Sequence, residues 1–234
     1  MTRTITRLWH DFAALVFPRL CLACEKPLLS SESHICLDCE MVLPKTDLHC
    51  HRQNEMTERF VGRFHIDSAA ALYYFSKSGK AQHLIHQIKY NDKREVAIAL
   101  GLQYGKTLVQ IPHFQDFGII VPVPLHPRKQ ILRGYNQAEM IAQGLSESMM
   151  IPLAPHALAK VKKTDSQTRK SRLERLQNVE EAYQLKDPSV LKGKKILLVD
   201  DVLTTGATLE ACAIAILERI PDAKLGIVTL AIAK

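Results

Sequence analysis

The sequence predicts an α/β protein in which a largely parallel sheet, covered by helices on both faces, follows a small cysteine-rich N-terminal module. Three observations predict it. Apolar strand-like runs alternate with helical patterns from about residue 61 onward, five of the six cysteines fall in the first 60 residues, and one apolar run ends in an acidic doublet, a short loop and a helix start. Strands separated by helices need crossover connections, and crossovers make parallel neighbours. The 234 residues have room for one substantial core plus an appendage, at roughly 100–200 residues per domain. The boundary is placed near Arg59, which divides the chain into 1–60 and 61–234.

Hydrophobic residues at 47% and charged residues at 24% are ordinary values for a folded chain and give no sign of extended disorder. The balance of 31 basic against 24 acidic side chains gives +7, which draws phosphates, nucleic acid or an anionic lipid surface without choosing among them. No apolar stretch approaches the ~20 residues a bilayer span needs, and His10, Asp11 and Arg19 interrupt the first twenty residues. Neither a membrane span nor a signal peptide is expected, and the expected location is the cytoplasm. Within that segment Leu8, Trp9, Phe12, Leu15 and Val16 share one helical face, suited to docking on a core or on a membrane or partner.

The cysteines come next along the chain. Cys21-Leu22-Ala23-Cys24 and Cys36-Leu37-Asp38-Cys39 are two CxxC pairs separated by eleven residues. Each pair offers two thiolates to one ion, and together they close the tetrahedral shell that zinc prefers, with no position left for water or substrate. The predicted zinc is therefore structural. Disulfides or a redox CxxC are the competing readings, disfavoured where no secretory signal is present. Cys50, between His49 and His51, is a further ligand candidate or the remnant of an incomplete third knuckle, and Cys212 reads as a buried inert thiol in a helix.

The elements that follow are read from periodicity. Asp67 to Phe75 reads as a strand, and Leu84, Ile85 and Ile88 mark one stripe of a helix over Lys80 to Tyr90. Glu95 to Ile111 continues as helix, and Phe117 to Val123 is a short strand bounded by Pro122 and Pro124. Asn136 to Met149 is helical, Ala157 to Lys162 a further strand, and Lys163 to Asn178 a polar, basic stretch. Lys195 to Val199 is a buried strand, Ala207 to Ile220 a helix and Leu225 to Ile232 the closing strand.

The run Ile196 to Thr208 carries the chemistry. A loop opening into a helix presents free N–H groups and the positive dipole end, so Thr204, Thr205, Gly206, Ala207 and Thr208 suit a phosphate monoester, with Gly206 allowing close backbone approach. Asp200 and Asp201, at the carboxyl end of the strand, suit vicinal ribose hydroxyls or a hydrated Mg ion on the ligand. Together these features fit a ribose 5-phosphate group. A Walker B reading needs a P-loop, and Gly101 to Thr107 has three residues between its glycines where four are required and lies in a predicted helix. An N-capped helix after an acidic turn is the plainer alternative.

This run resembles the phosphoribosyl diphosphate signature of type I phosphoribosyltransferases. Val121 to Lys129, Arg133-Gly134-Tyr135-Asn136-Gln137-Ala138 and Gln167 to Arg172, continuing to Arg175 and Asn178, are similar to the ComF family of competence-associated proteins within that superfamily, as is the paired CxxC arrangement. A second cysteine after Cys50 is missing from the pattern. The resemblance implies a Rossmann-like sheet of the type I phosphoribosyltransferase kind. It implies a diphosphate loop at Leu125, His126 and Arg128, with positive charge from Arg128, Lys129 and Arg133, and places Arg128 with the doublet as the catalytic group. It makes Lys160 to Arg175, with seven basic residues against Asp165 and Glu174, a catalytic loop, or alternatively an exposed charged helix. Tyr135 and Asn136 are base-facing or structural.

Two functions follow. One is an enzyme displacing diphosphate from phosphoribosyl diphosphate, with Mg and basic groups stabilising the leaving charge and an unidentified nucleobase or amine as acceptor. The other, implied by the resemblance, is a cytoplasmic factor in DNA uptake or recombination that binds single-stranded DNA, with DNA-uptake or recombination proteins as partners, and uses the phosphoribosyl site for sensing. Aromatic residues make up only 6%, so base stacking is not assumed. A scaffold with neither activity is the third reading.

Overall fold

The computed structural model describes residues 18–77, 79–90, 92–161 and 182–233. The apolar face predicted in residues 8–16 and the basic stretch from residue 162 to 181 lie outside the described residues.

The helical and strand periods of the sequence meet in a three-layer arrangement. Strands β1 (Ser68–Phe75), β2 (Ile119–Pro122), β5 (Lys195–Leu203) and β6 (Lys224–Ala233) form a parallel sheet in the order β1-β6-β5-β2. Two short strands, β3 (Leu158–Lys160) and β4 (Tyr183–Leu185), pair antiparallel beside it. Alternation along each central strand sends successive side chains to opposite faces. Ile196, Leu198 and Ile227 enter one core, with Leu209, Cys212 and Ile216 of the helix Ala207–Leu217. Leu197, Val199 and Val228 enter the other, with the helices Lys80–Tyr90, Arg94–Leu108 and Gln137–Met149. The near-continuous apolar runs that look undifferentiated in sequence are thus strands buried on both sides.

Numbered in chain order, the helices are α1 (Leu37–Val42), α2 (Glu55–Glu58), α3 (Lys80–Tyr90), α4 (Arg94–Leu108), α5 (Pro127–Arg133), α6 (Gln137–Met149) and α7 (Ala207–Leu217). Gly101, the first glycine of the rejected P-loop, has a packing role. A Cβ on Gly101 of α4 would sit 2.2 Å from the Ile141 carbonyl oxygen, and one on Gly144 of α6 2.1 Å from that of Ile98, so both let two helix backbones touch.

Two of the differences from the sequence reading lie beside the strand tips. Residues 127–133, where the resemblance implies a loop through Arg128 and the periodicity marks no element, form α5, because Pro127 presets its first turn and the His126 ring accepts the Arg128 N–H at 3.2 Å. Beyond Val199 the strand continues through the doublet to Leu203, since Asp200, Val202 and Leu203 keep pairing with Thr229, Ala231 and Ile232 of β6.

The N-terminal residues divide by what they touch. Cys21, Ala23, Cys36 and Cys39 form a small cluster of their own. Leu43 joins the core of α3 and α4, while Leu48, Met56 and Phe60 join the core of α7. Thr46 N–H donates to the Leu72 carbonyl at 3.0 Å and Tyr74 N–H to that of Pro44 at 2.7 Å, which ties this segment to the edge of β1.

Candidate functional site

The carboxyl ends of parallel strands leave a crevice where the connections diverge, and that is where open α/β sheets bind ligands. Here a cavity of about 430 Å³ opens at that end. Asp200, Asp201, Val202, Thr204 and Thr208 line it from the strand tip and loop, Leu125, Lys129 and Arg133 from the β2–α5 side, and Lys160 and Tyr183 from the antiparallel pair. Gln82, His86, Lys89 and Tyr90 of α3 complete the wall.

The doublet is held in two ways. Asp200 Oδ1 accepts the Asp201 N–H at 2.8 Å, and Asp201 Oδ2 lies 3.0 Å from Lys89 Nζ. Burial, reinforced by the Asp201 carboxylate, pushes the Asp200 carboxyl up to about 7 against the pull of Lys89 and Lys160. Lys160 donates to the Tyr183 hydroxyl at 2.9 Å, and burial with the nearby Lys129 depresses its ammonium. Below them Cys212 is fully buried, its thiol raised well above the ordinary value by desolvation first and then by Asp200.

The loop after β5 is anchored from the N-terminal side. Arg59 Nη1 donates to the Thr204 carbonyl at 2.7 Å, Arg63 Nη1 to the Thr205 carbonyl at 3.3 Å and to Glu210 Oε2 at 2.9 Å. With its carbonyls held outward, the loop leaves the Thr205 and Gly206 N–H groups with no acceptor among the described residues. Gly206 has φ +83 and caps α7, and a Cβ there would lie 2.8 Å from the Phe60 ring. Glycine is therefore required by a left-handed turn and by Phe60 packing, a different reason from ligand approach. Arg59, Phe60 and Arg63 were missed in the sequence because nothing local links them to a loop some 140 residues away.

Several predicted residues fall together and others do not. Asp200, Asp201, Thr204, Thr208, Leu125, Lys129 and Arg133 face one cavity. Thr205, Gly206 and Ala207 form the turn behind it, while Arg128 is exposed on α5 and His126 caps that helix, both outside the lining. Tyr135 is structural: it is buried, its hydroxyl donates to the Ile88 carbonyl and Arg94 stacks 5.1 Å from its ring centroid. Asn136 donates to the Val123 carbonyl at 3.0 Å and caps α6 through Ala138 N–H at 3.2 Å, so it fixes the β2–α5 loop while bordering the cavity. Lys89, Tyr90, His86 and Tyr183 escaped the sequence reading. The α3 period that revealed Leu84, Ile85 and Ile88 also places residues 82, 86 and 89 on one stripe, and that was the available signal.

The four cysteine sulfurs lie within 4.8 Å of one another, with Cys24 and Cys36 3.7 Å apart. A tetrahedral ion with bonds of about 2.3 Å sets its sulfurs roughly 3.8 Å apart, so the group can hold a metal ion. The Cys36 N–H donates to Cys21 Sγ at 3.3 Å, which supports that thiolate. Cys50 is exposed and stands outside this group. For Mg the fitting donors are the hard carboxylate oxygens of the doublet. No helix among the described residues is long and apolar enough to cross a membrane.

A phosphoribosyl transferase domain model matches residues 134–234. Competence protein F of Haemophilus influenzae is 41% identical over 91 residues, a match spanning 38% of this chain and 40% of that protein. DNA utilization protein YhgH of Escherichia coli is 29% identical over 222 residues, covering 85% of this chain and 91% of the relative. Competence protein ComFC of Bacillus subtilis is 26% identical over 214 residues, covering 91% and 83%.

Proposed function

We propose that this chain, which belongs to the ComF family of competence-associated, phosphoribosyltransferase-like proteins, binds the magnesium complex of phosphoribosyl diphosphate and acts in DNA uptake or transformation. The observation that carries the reading is one cavity lined by the two carboxylates at the strand tip, by Thr204 and Thr208, and by Lys129, Arg133 and Lys160, with the unpaired Thr205 and Gly206 amides in the turn behind it.

In this reading the Thr205 and Gly206 amides and the Thr204 and Thr208 hydroxyls take the 5-phosphate. Asp200 and Asp201 accept hydrogen bonds from the ribose hydroxyls, and Lys129 and Arg133 take diphosphate charge. Magnesium, when bound, neutralises charge on the leaving diphosphate. The four-cysteine group holds a structural zinc. Equilibrium dialysis with phosphoribosyl diphosphate tests this: retention with magnesium and its loss with chelator is expected, and equal retention without magnesium would reject the magnesium role.

The competence relatives and the +7 charge favour single-stranded DNA as a further partner over a free-standing transferase. Six phosphate contacts on a single strand would give a log–log salt slope of about −4, so affinity should fall steeply between low and physiological salt. Salt-independent binding of an oligonucleotide would overturn the DNA role. Diphosphate release with a nucleobase or amine, without any oligonucleotide affinity, would favour the transferase reading.

A further inference from the structure

The part of the cavity least explained by a sugar-phosphate reading is α3. Its three sides meet three different environments. Ala81, Leu84, Ile85 and Ile88 are buried in the core. Gln82, His86, Lys89 and Tyr90 face the cavity, and His83, which lies 3.2 Å from Glu25 Oε1, faces the cysteine module. Glu25 follows Cys24 directly and adopts a left-handed turn with φ 61. Leu22, inside the first CxxC, and Ile35, immediately before the second, pack against the core that also holds Leu84, Ile85 and Ile88.

Two adjacent carboxylates at one strand tip repel each other and need separate restraints. Asp200 has one in its own chain, the Asp201 N–H. Asp201 has Lys89, and the two side chains are 16% and 24% exposed, so water and salt screen the pair only partly. Lys129, Arg133 and Lys160 remain on the other walls as cations for an anionic ligand.

We propose that Lys89 is the positioning residue of the acidic doublet, holding Asp201 apart from Asp200, and that the cysteine module sets its place through α3. This rests on the reading that the cavity takes a sugar phosphate. Lys89 fixes the direction of Asp201 and does not itself grip the ligand. The module contributes chiefly through Leu22 and Ile35, because the Glu25–His83 pair is exposed and such pairs contribute little.

The test is a double-mutant cycle with Lys89→Met and Asp201→Asn, read twice. By thermal melting, the double variant should lose no more than the worse single variant; additive losses would overturn the pairing. By calorimetry with ribose 5-phosphate and magnesium, Lys89→Met should weaken binding about tenfold, the scale of losing one partly shielded charge contact, and Lys89→Arg should restore most of it. Additive affinity losses would make Lys89 a direct ligand group and defeat the positioning role. Leu22→Ala, with its metal content checked by chelator release, should weaken ribose 5-phosphate binding with metal retained, and unchanged affinity would remove the module from the proposal. If the wild-type protein binds neither ribose 5-phosphate nor phosphoribosyl diphosphate, the proposed function fails, while the melting cycle still decides the Lys89 pairing.

Discussion

At the scale of single residues, the acidic doublet shows how place alters identical side chains. Asp201 has an ammonium partner, while Asp200 is desolvated and its carboxyl sits at about 7. An unfolded aspartate titrates near ~3.9, so between these values the native state holds a proton that the unfolded chain has released. Stability from this group therefore falls as pH rises from about 4 to about 7. Asp200→Asn should melt several degrees above wild type at pH 8 and close to it at pH 4, and coincident melting curves at pH 8 would show that Asp200 is not desolvated. Gly206→Ala should cost about 1–3 kcal/mol in urea unfolding, for the left-handed turn together with the Phe60 clash. A loss below a few tenths would mean that the turn is relaxed. The aspartates and the glycine were legible as residues. Their partners Lys89 and Phe60 were not, because contacts between distant segments leave no local pattern.

At the scale of elements, periodicity located β1, α3, α6, β6 and the strand–doublet–loop–helix unit, since each buries a continuous apolar face or stripe. It missed α5 for a physical reason. That helix has no buried residue, with Ile131 and Leu132 82% and 85% exposed, so no apolar stripe marks it. Its signal was the proline at its first position and the glycine after Arg133. Strand β4, three residues long, has no counterpart in the sequence reading. Spacing alone was enough for the cysteine element, where two short loops bring four sulfurs together with little core of their own. An ion bound there would supply much of its folding energy: in the metal-loaded protein, chelator treatment or Cys36→Ser should release metal and lower the melting temperature, by several kcal/mol in stability terms. Full stability after metal removal would show that the cluster needs no ion.

At the scale of the whole molecule, the alternation of strands and helices made the parallel sheet legible. Around the boundary expected near Arg59, the structure adds contacts that the sequence does not display. Phe60 lies under Gly206, Arg59 and Arg63 hold the loop carbonyls, and Leu22 and Ile35 pack against the core that α3 shares with α4 and α6. Such long-range contacts are set by tertiary packing. The central claim is that doublet and loop form one cradle for a sugar phosphate with magnesium. Calorimetric titration of phosphoribosyl diphosphate with magnesium into wild type and the Asp200→Asn/Asp201→Asn variant tests it most directly. Saturable binding by wild type that falls at least tenfold in the folded variant is the predicted result, and no wild-type binding, or equal affinity in both, would contradict it.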